Sequence, residues 1–289
     1  MRNFLYRCSG AAIIALLANS APAADLLTTL QAEAPPPAQD FIVESNNQII
    51  AEFVEAHLDY SEYAGAYGTL PGLLDTEKGW VPGFGAKLSV MNSAFVNNAY
   101  FEAEFTRSQS RTAYEGGVIG GCGYGCVLKD DEAIFTDFHN RYGQGFEVQP
   151  DFMITPYVEW GYHRWNRAVN AGETYDNYYV GAGGMAQYSP LSRLVLSANA
   201  MIGATVGSWI DVNAITGFAP AWSDKLGNSL TYDIGGSADY GVTRSLHVTA
   251  GLDYAYFKYG ASPLQPSGFF EPRSATGMTT AKLGLGYAF

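Results

Sequence analysis

The chain has 289 residues and a formal net charge of −12; 47% of residues are apolar, 15% charged and 14% aromatic, with 20 Tyr and 33 Gly. So much apolar character excludes a disordered chain, and the acidic balance lacks the basic face that nucleic acid requires. No apolar run reaches the roughly 18 residues of a membrane-spanning helix.

Arg2 and Arg7 precede the apolar stretch Ala11–Ala18, and Ala21-Pro22-Ala23 follows. A basic start, a short apolar core and a small-x-small site predict a secretory signal peptide over 1–23. Losing Arg2 and Arg7 takes the formal charge from −12 to −14. Residues 24–47, with the tract Pro35-Pro36-Pro37, predict an extended periplasmic leader. Export exposes Cys122 and Cys126 to an oxidising compartment, where a glycine-flanked pair four positions apart is expected to close a disulfide. Two thiols with no neighbouring His do not make a metal site, so neither a metal nor any other cofactor is expected.

From residue 48 to 289 the pattern has period two, which puts successive side chains on opposite faces of a strand. Val158, Trp160 and Tyr162 share one face, and Glu159, Gly161 and His163 the other. About ten strands are predicted, near 48–60, 80–91, 98–107, 133–146, 151–164, 174–187, 193–205, 228–241, 245–258 and 276–289. Eight and twelve are the competing counts, because 133–146 alternates poorly. Short connections alternate with long ones (61–79, 108–132, 165–173, 206–227 and 259–275). That is the plan of an all-β, antiparallel up-and-down barrel of the outer membrane, with short periplasmic turns and long extracellular loops. A soluble β-sandwich also alternates, but it does not bracket an apolar band with aromatics. Here Trp80, Trp160, Tyr162, Tyr178, Tyr232, Tyr254 and Tyr256 fall near the loop end, and Tyr188, Tyr240, Tyr287 and Phe289 near the turn end.

The last strand carries Lys282, Gly284, Tyr287 and a terminal Phe289. This resembles the C-terminal signal by which bacterial outer-membrane proteins meet the barrel-assembly machinery, which makes that machinery an expected partner. The Ala23-Ala24-Asp25-Leu26 start and the Pro tract resemble small outer-membrane barrels of the opacity and surface-antigen type in alpha-proteobacteria.

If the aromatic face meets lipid, the other face lines the lumen. The expected lining is Glu55, His57, Asp59, Lys87, Glu102, Glu104, Asp137, His139, Arg141, Glu159, His163, Asp233, Asp253 and Lys282, with all four His residues inward. Buried charges must pair or stay wet, so a lumen of ion pairs and water is expected. The leading function is then structural or surface-interacting, with an extracellular ligand met by the loops. A narrow cation-preferring channel is the second reading, since acids outnumber bases along the wall. A barrel hydrolase, omptin-like or lipid-modifying, is the third. Asp137 with His139, or Asp59 with His57, has the spacing of an oriented general base, and Asp-x-His is similar to half of the omptin active site. At the loop end, Arg107, Arg164, Lys258 and Arg273 interrupt the outward face, where basic groups meet lipopolysaccharide phosphates.

Overall fold

The structure, a computed structural model, describes residues 38–65, 72–118 and 121–289. The expected signal peptide (1–23) and the stretch 24–37 of the leader lie outside the described residues. The rest of the leader departs from expectation. Ala38–Ser45 forms a helix, α1, in place of an extended segment.

Twelve strands follow: β1 (Gln48–Tyr63), β2 (Leu73–Asn92), β3 (Ala99–Gly116), β4 (Val127–Gln144), β5 (Phe146–Gln149), β6 (Phe152–Arg167), β7 (Glu173–Leu191), β8 (Leu194–Val212), β9 (Trp222–Leu226), β10 (Leu230–Gly241), β11 (Leu246–Tyr259) and β12 (Arg273–Ala288). Ten of them close an antiparallel cylinder. β1 pairs with β12 from Gln48↔Ala288 to Tyr63↔Arg273, and β8 pairs directly with β10 through Ser197↔Ser237. The short β5 prolongs the β4 edge against β6, and β9 prolongs the far end of β8. No helix among the described residues is long and apolar enough to cross a membrane.

Each of the ten expected strands coincides with a stave, but most staves are longer than expected. β2 has 20 residues and β7 and β8 have 19 each, against the roughly 9–11 that cross a bilayer. Except in β7, which runs on to Leu191 at the turn end, the excess lies mainly at the loop end, so the expected loop 108–132 shrinks to the stretch between Gly116 and Val127. Past the aromatic belt the outward positions turn polar (Gln109, Arg111 and Glu115 on β3), which removes the alternation that marks a strand. In the remaining loop Cys122 and Cys126 form a disulfide, with Gly125 at φ +90° supplying the left-handed turn.

Outward positions carry exposed Phe53, Phe84, Trp160, Val180, Ile202, Leu252, Leu283 and Leu285. Inward positions must fill a ten-stranded interior, and glycine makes room for the largest rings. A Cβ on Gly161 would lie 2.2 Å from Tyr179, and one on Gly183 would lie 2.7 Å from Tyr157. A bulge where Tyr178 and Tyr179 face Gly207 and Thr205 switches the phase of β8. Its inward set therefore runs through Thr205 and resumes at Ser208, Ile210 and Val212.

Candidate functional site: a lumen in three layers

The end of the barrel with the short turns is stoppered by α1. Phe41 and Ile42 are buried among Met91, Tyr100, Met153, Tyr157, Met185, Val195 and Met201. The residues after the helix hold it in place. Asn46 Nδ2 donates to Ile42 O at 2.8 Å and to Gln187 Oε1 at 2.7 Å. Asn47 Nδ2 donates to Met91 O at 2.8 Å, while its Oδ1 accepts from Met91 N at 2.9 Å. Phe41 stacks on His247, with ring centroids 5.6 Å apart, and His247 Nδ1 lies 2.6 Å from Asp239 Oδ1.

Above the stopper lies a polar chamber of about 190 Å³, large enough to hold water. Arg141 joins three strands across it, with Nε 2.7 Å from Glu159 Oε2, Nη1 3.2 Å from Glu102 Oε1 and Nη2 3.6 Å from Asp233 Oδ1. Its guanidinium also sits 5.0 Å from the Tyr157 ring centroid. Lys282 bridges Glu104 and Asp253, the latter at 2.9 Å, and Lys87 lies 3.7 Å from Glu52 Oε1. Tyr100 donates to Glu102 at 2.8 Å, Tyr179 to Glu159 at 3.0 Å and Asn199 to Asp233 at 3.0 Å. Eight carboxylates line the chamber, against Lys87, Arg141 and Lys282.

Glu102, Glu104 and His139 bring possible metal-ligand atoms within 4.8 Å of one another. Both carboxylates are already held, Glu102 by Arg141 and Glu104 by Lys282.

The third layer closes the loop end. Tyr60, Phe135, Trp165, Tyr175, Phe257 and Tyr259 pack with Leu58 and Ile210 into a slab across the lumen. Arg167 lies buried above it, with Nη2 3.0 Å from Glu77 Oε2 and 3.5 Å from Asp75 Oδ2, and Nη1 3.6 Å from Glu173 Oε2. The rings of Trp165 and Tyr60 lie 4.8 Å and 4.9 Å from its guanidinium. The polar run continues from Glu62 through Tyr60 and Tyr175 hydroxyls to Glu271 Oε1, the last contact at 2.5 Å.

Glu271 belongs to the loop between β11 and β12. Burial first, and then the nearby Glu173 charge, push its carboxyl well above the ordinary carboxylate range. A raised acid pKa means the folded chain holds the proton more tightly than the unfolded one. Its contribution to stability is full below the ordinary value near 4.5 and is lost as pH rises through the folded value. Glu271→Gln keeps an acceptor for Tyr175 and removes the charge. The variant is expected to melt higher than wild type at pH 8, with the two curves converging toward pH 4, as followed by thermal melts across that range.

The structure places the sequence-predicted residues unevenly. Lys87, Glu102, Glu104, Asp137, His139, Arg141, Glu159, His163, Asp233, Asp253 and Lys282 all line the chamber. Glu55, His57 and Asp59 do not. In β1 the inward set is Ile50, Glu52, Val54, Ala56, Leu58, Tyr60 and Glu62, so the expected register is one residue out. Outside, His57 packs against Trp80 at 4.8 Å between ring centroids, and Asp59 pairs with Lys78 at 3.0 Å. Three His residues, His139, His163 and His247, point inward, not four. The expected Asp137–His139 pair is also exchanged. Asp137 Oδ1 meets His163 Nδ1 at 2.5 Å, and His139 turns to Glu102 at 3.5 Å. His163 is wedged between Phe135 and Phe257, and its buried Nε2 has no hydrogen-bond partner among the described residues.

Tyr287 and Phe289 are exposed on the outer wall, and Gly284 faces the lumen beside Thr249 and Ile50. Arg107, Arg164, Lys258 and Arg273 are all exposed and outward. Sequence reasoning missed Arg167, Asp75, Glu77 and Glu173. The available signal was phase, because Glu159, Gly161, His163, Trp165 and Arg167 continue one inward series past the expected strand end.

No family model matches the chain, and no curated protein sequence matches it. Among solved structures, the outer membrane protease OmpT from Escherichia coli is similar at a TM-score of 0.51, with 9% identity over 84% of this chain and 97% of that one. The beta domain of the Bordetella autotransporter BrkA gives 0.39 at 15% identity, covering 84% of this chain and 100% of that one. Neisserial surface protein A gives 0.35 at 12%, covering 83% and 97%. At such identities the likeness to OmpT shows the shared barrel fold.

Proposed function

We propose that this chain is an integral outer-membrane barrel with a shut lumen, whose role is structural and surface-interacting at its loop end. It is exported by the 1–23 signal and inserted by the barrel-assembly machinery through Gly284, Tyr287 and Phe289. One observation carries the closed reading. Two buried clusters cross the lumen, one around α1 below and one of aromatic rings beneath Arg167 above.

The acid excess of the chamber supports a cation preference if a path opened, but the two buried clusters stand in its way. The Asp137–His163 pair has the contact of an oriented general base. It lies beneath the slab, however, with its ring packed between Phe135 and Phe257, which argues against a polymer substrate. In planar bilayers the full-length chain is expected to give no single-channel steps above baseline. Regular cation-selective steps would overturn the closed reading and favour the channel.

A further inference from the structure

We propose that Arg107 and Arg164 form a clamp on the outer wall for the phosphate of an outer-leaflet glycolipid. The inference rests on the outer-membrane reading above.

The register brings the two residues together. Arg107 on β3 pairs across to Thr136 on β4, which pairs in turn with Arg164 on β6. Strands lie about 4.8 Å apart, so the two Cα atoms are separated by roughly 10 Å. A phosphate between them lies within reach of both side chains. Thr136 sits in the gap, with its Oγ1 accepting from Arg107 Nη1 at 3.0 Å and its own proton available to a phosphate oxygen.

Both guanidinium groups are underused. Among the described residues Arg107 has no carboxylate within ion-pair distance. Arg164 donates Nε to Asn166 at 3.2 Å, and its Nη1 lies 3.9 Å from Asp176 Oδ1. That oxygen already accepts the Tyr162 hydroxyl. The nearest acid therefore only partly neutralises the pair. Arginine forks match phosphate oxygens two at a time, which a single ammonium cannot do.

Height supplies the second argument. Two residues toward the membrane, Phe105, Phe138, Tyr162 and Tyr178 lie side by side across those three strands and β7. Aromatic girdles mark the lipid–water interface. A step of two residues beyond it, about 7 Å along the strand, puts the arginines among headgroup phosphates. Three other outward cations lack this arrangement. Lys78 is paired with Asp59, Lys258 sits 5.8 Å from the Tyr256 ring centroid, and Arg273 stands opposite Tyr63. On a chain of net charge −12, attraction to an anionic lipid must be local.

The test uses the full mature chain, folded in detergent micelles, titrated with bisphosphorylated lipid A and with its dephosphorylated form. Wild type is expected to bind the phosphorylated lipid at least ten-fold more tightly. Arg107→Gln with Arg164→Gln is expected to lose ten-fold or more and to erase the difference between the two lipids. Lysine at both positions is expected to fall between. Lys258→Gln with Arg273→Gln serves as the charge-matched control and is expected to stay within two-fold of wild type. Exposed positions tolerate such changes, and circular dichroism checks each fold. A glutamine pair that keeps the phosphate preference overturns the clamp, as does a control pair that loses as much. Millimolar inorganic phosphate that displaces the lipid overturns the lipid as its ligand. A chain that stays soluble without detergent overturns the membrane reading itself, an outcome separate from the failure of the clamp.

Discussion

Replacing Arg167 by Met is expected to cost about 3–5 kcal/mol of folding stability, the range for removing one partner from a buried ion pair. The side chain is fully enclosed, and Asp75, Glu77 and Glu173 all direct carboxylate oxygens at it. Methionine fills much of the volume and keeps contact with Trp165 and Tyr60, so the loss reports charge and not cavity. What remains is a group of acids in a site with no cation to oppose them. Denaturant unfolding in lipid vesicles, with the slope checked for constancy, measures the effect. A companion variant separates the pair from the packing. Adding Glu77→Gln to Arg167→Met should recover part of the loss, because residues sharing one network are not additive. Recovery of nothing, or a single-variant loss under 1 kcal/mol, would mean that Arg167 is held mainly by its aromatic neighbours.

The strand count was legible because lipid on one side and water or charge on the other force period two wherever the wall crosses the bilayer. Legibility failed where that contrast fails. In β1 both faces are apolar, with Ile49 and Phe53 outward and Ile50, Val54 and Leu58 inward, so the carboxylates of Glu55 and Asp59 gave the wrong phase. Above the aromatic belt the outward face of β3 turns polar as well, which hid its extension, and Arg167 lies past the expected end of β6. Periodicity assigns a face but not a height or a cross-lumen partner. Lys282 meets Glu104 across a sequence separation of 178, a contact set by barrel closure and by nothing local. The exchange of His139 for His163 as the partner of Asp137 has the same origin. Stagger between neighbouring strands decides which imidazole arrives at the carboxylate. The helix α1 was missed for another reason. Its apolar core, Phe41-Ile42-Val43, is short and sits in a Pro-rich polar setting, and only the presence of a greasy cylinder mouth makes it fold.

That dependence gives the second large expected effect. Phe→Ala and Ile→Ala substitutions in cores cost about 3–5 and 2–5 kcal/mol respectively. Phe41→Ala with Ile42→Ala therefore removes more than an eight-residue helix can supply by itself, since isolated helices this short are marginal in water. The barrel does not need to unfold in response. The ladders of all ten staves stay intact, and the cheaper event is undocking of α1. Hydrogen exchange should show protection lost over 38–47 with little change in β1 through β12, and the global unfolding midpoint should move far less than the summed costs suggest. His247 loses its stacked partner, and the chamber opens at the turn end. Conductance should nevertheless remain at baseline, because the slab of Tyr60, Phe135, Trp165, Tyr175, Phe257 and Tyr259 still crosses the lumen above. A helix variant that exchanges freely yet stays electrically silent places a second seal at the loop end. If steps appear with the helix variant alone, the slab is permeable and α1 alone keeps the lumen shut.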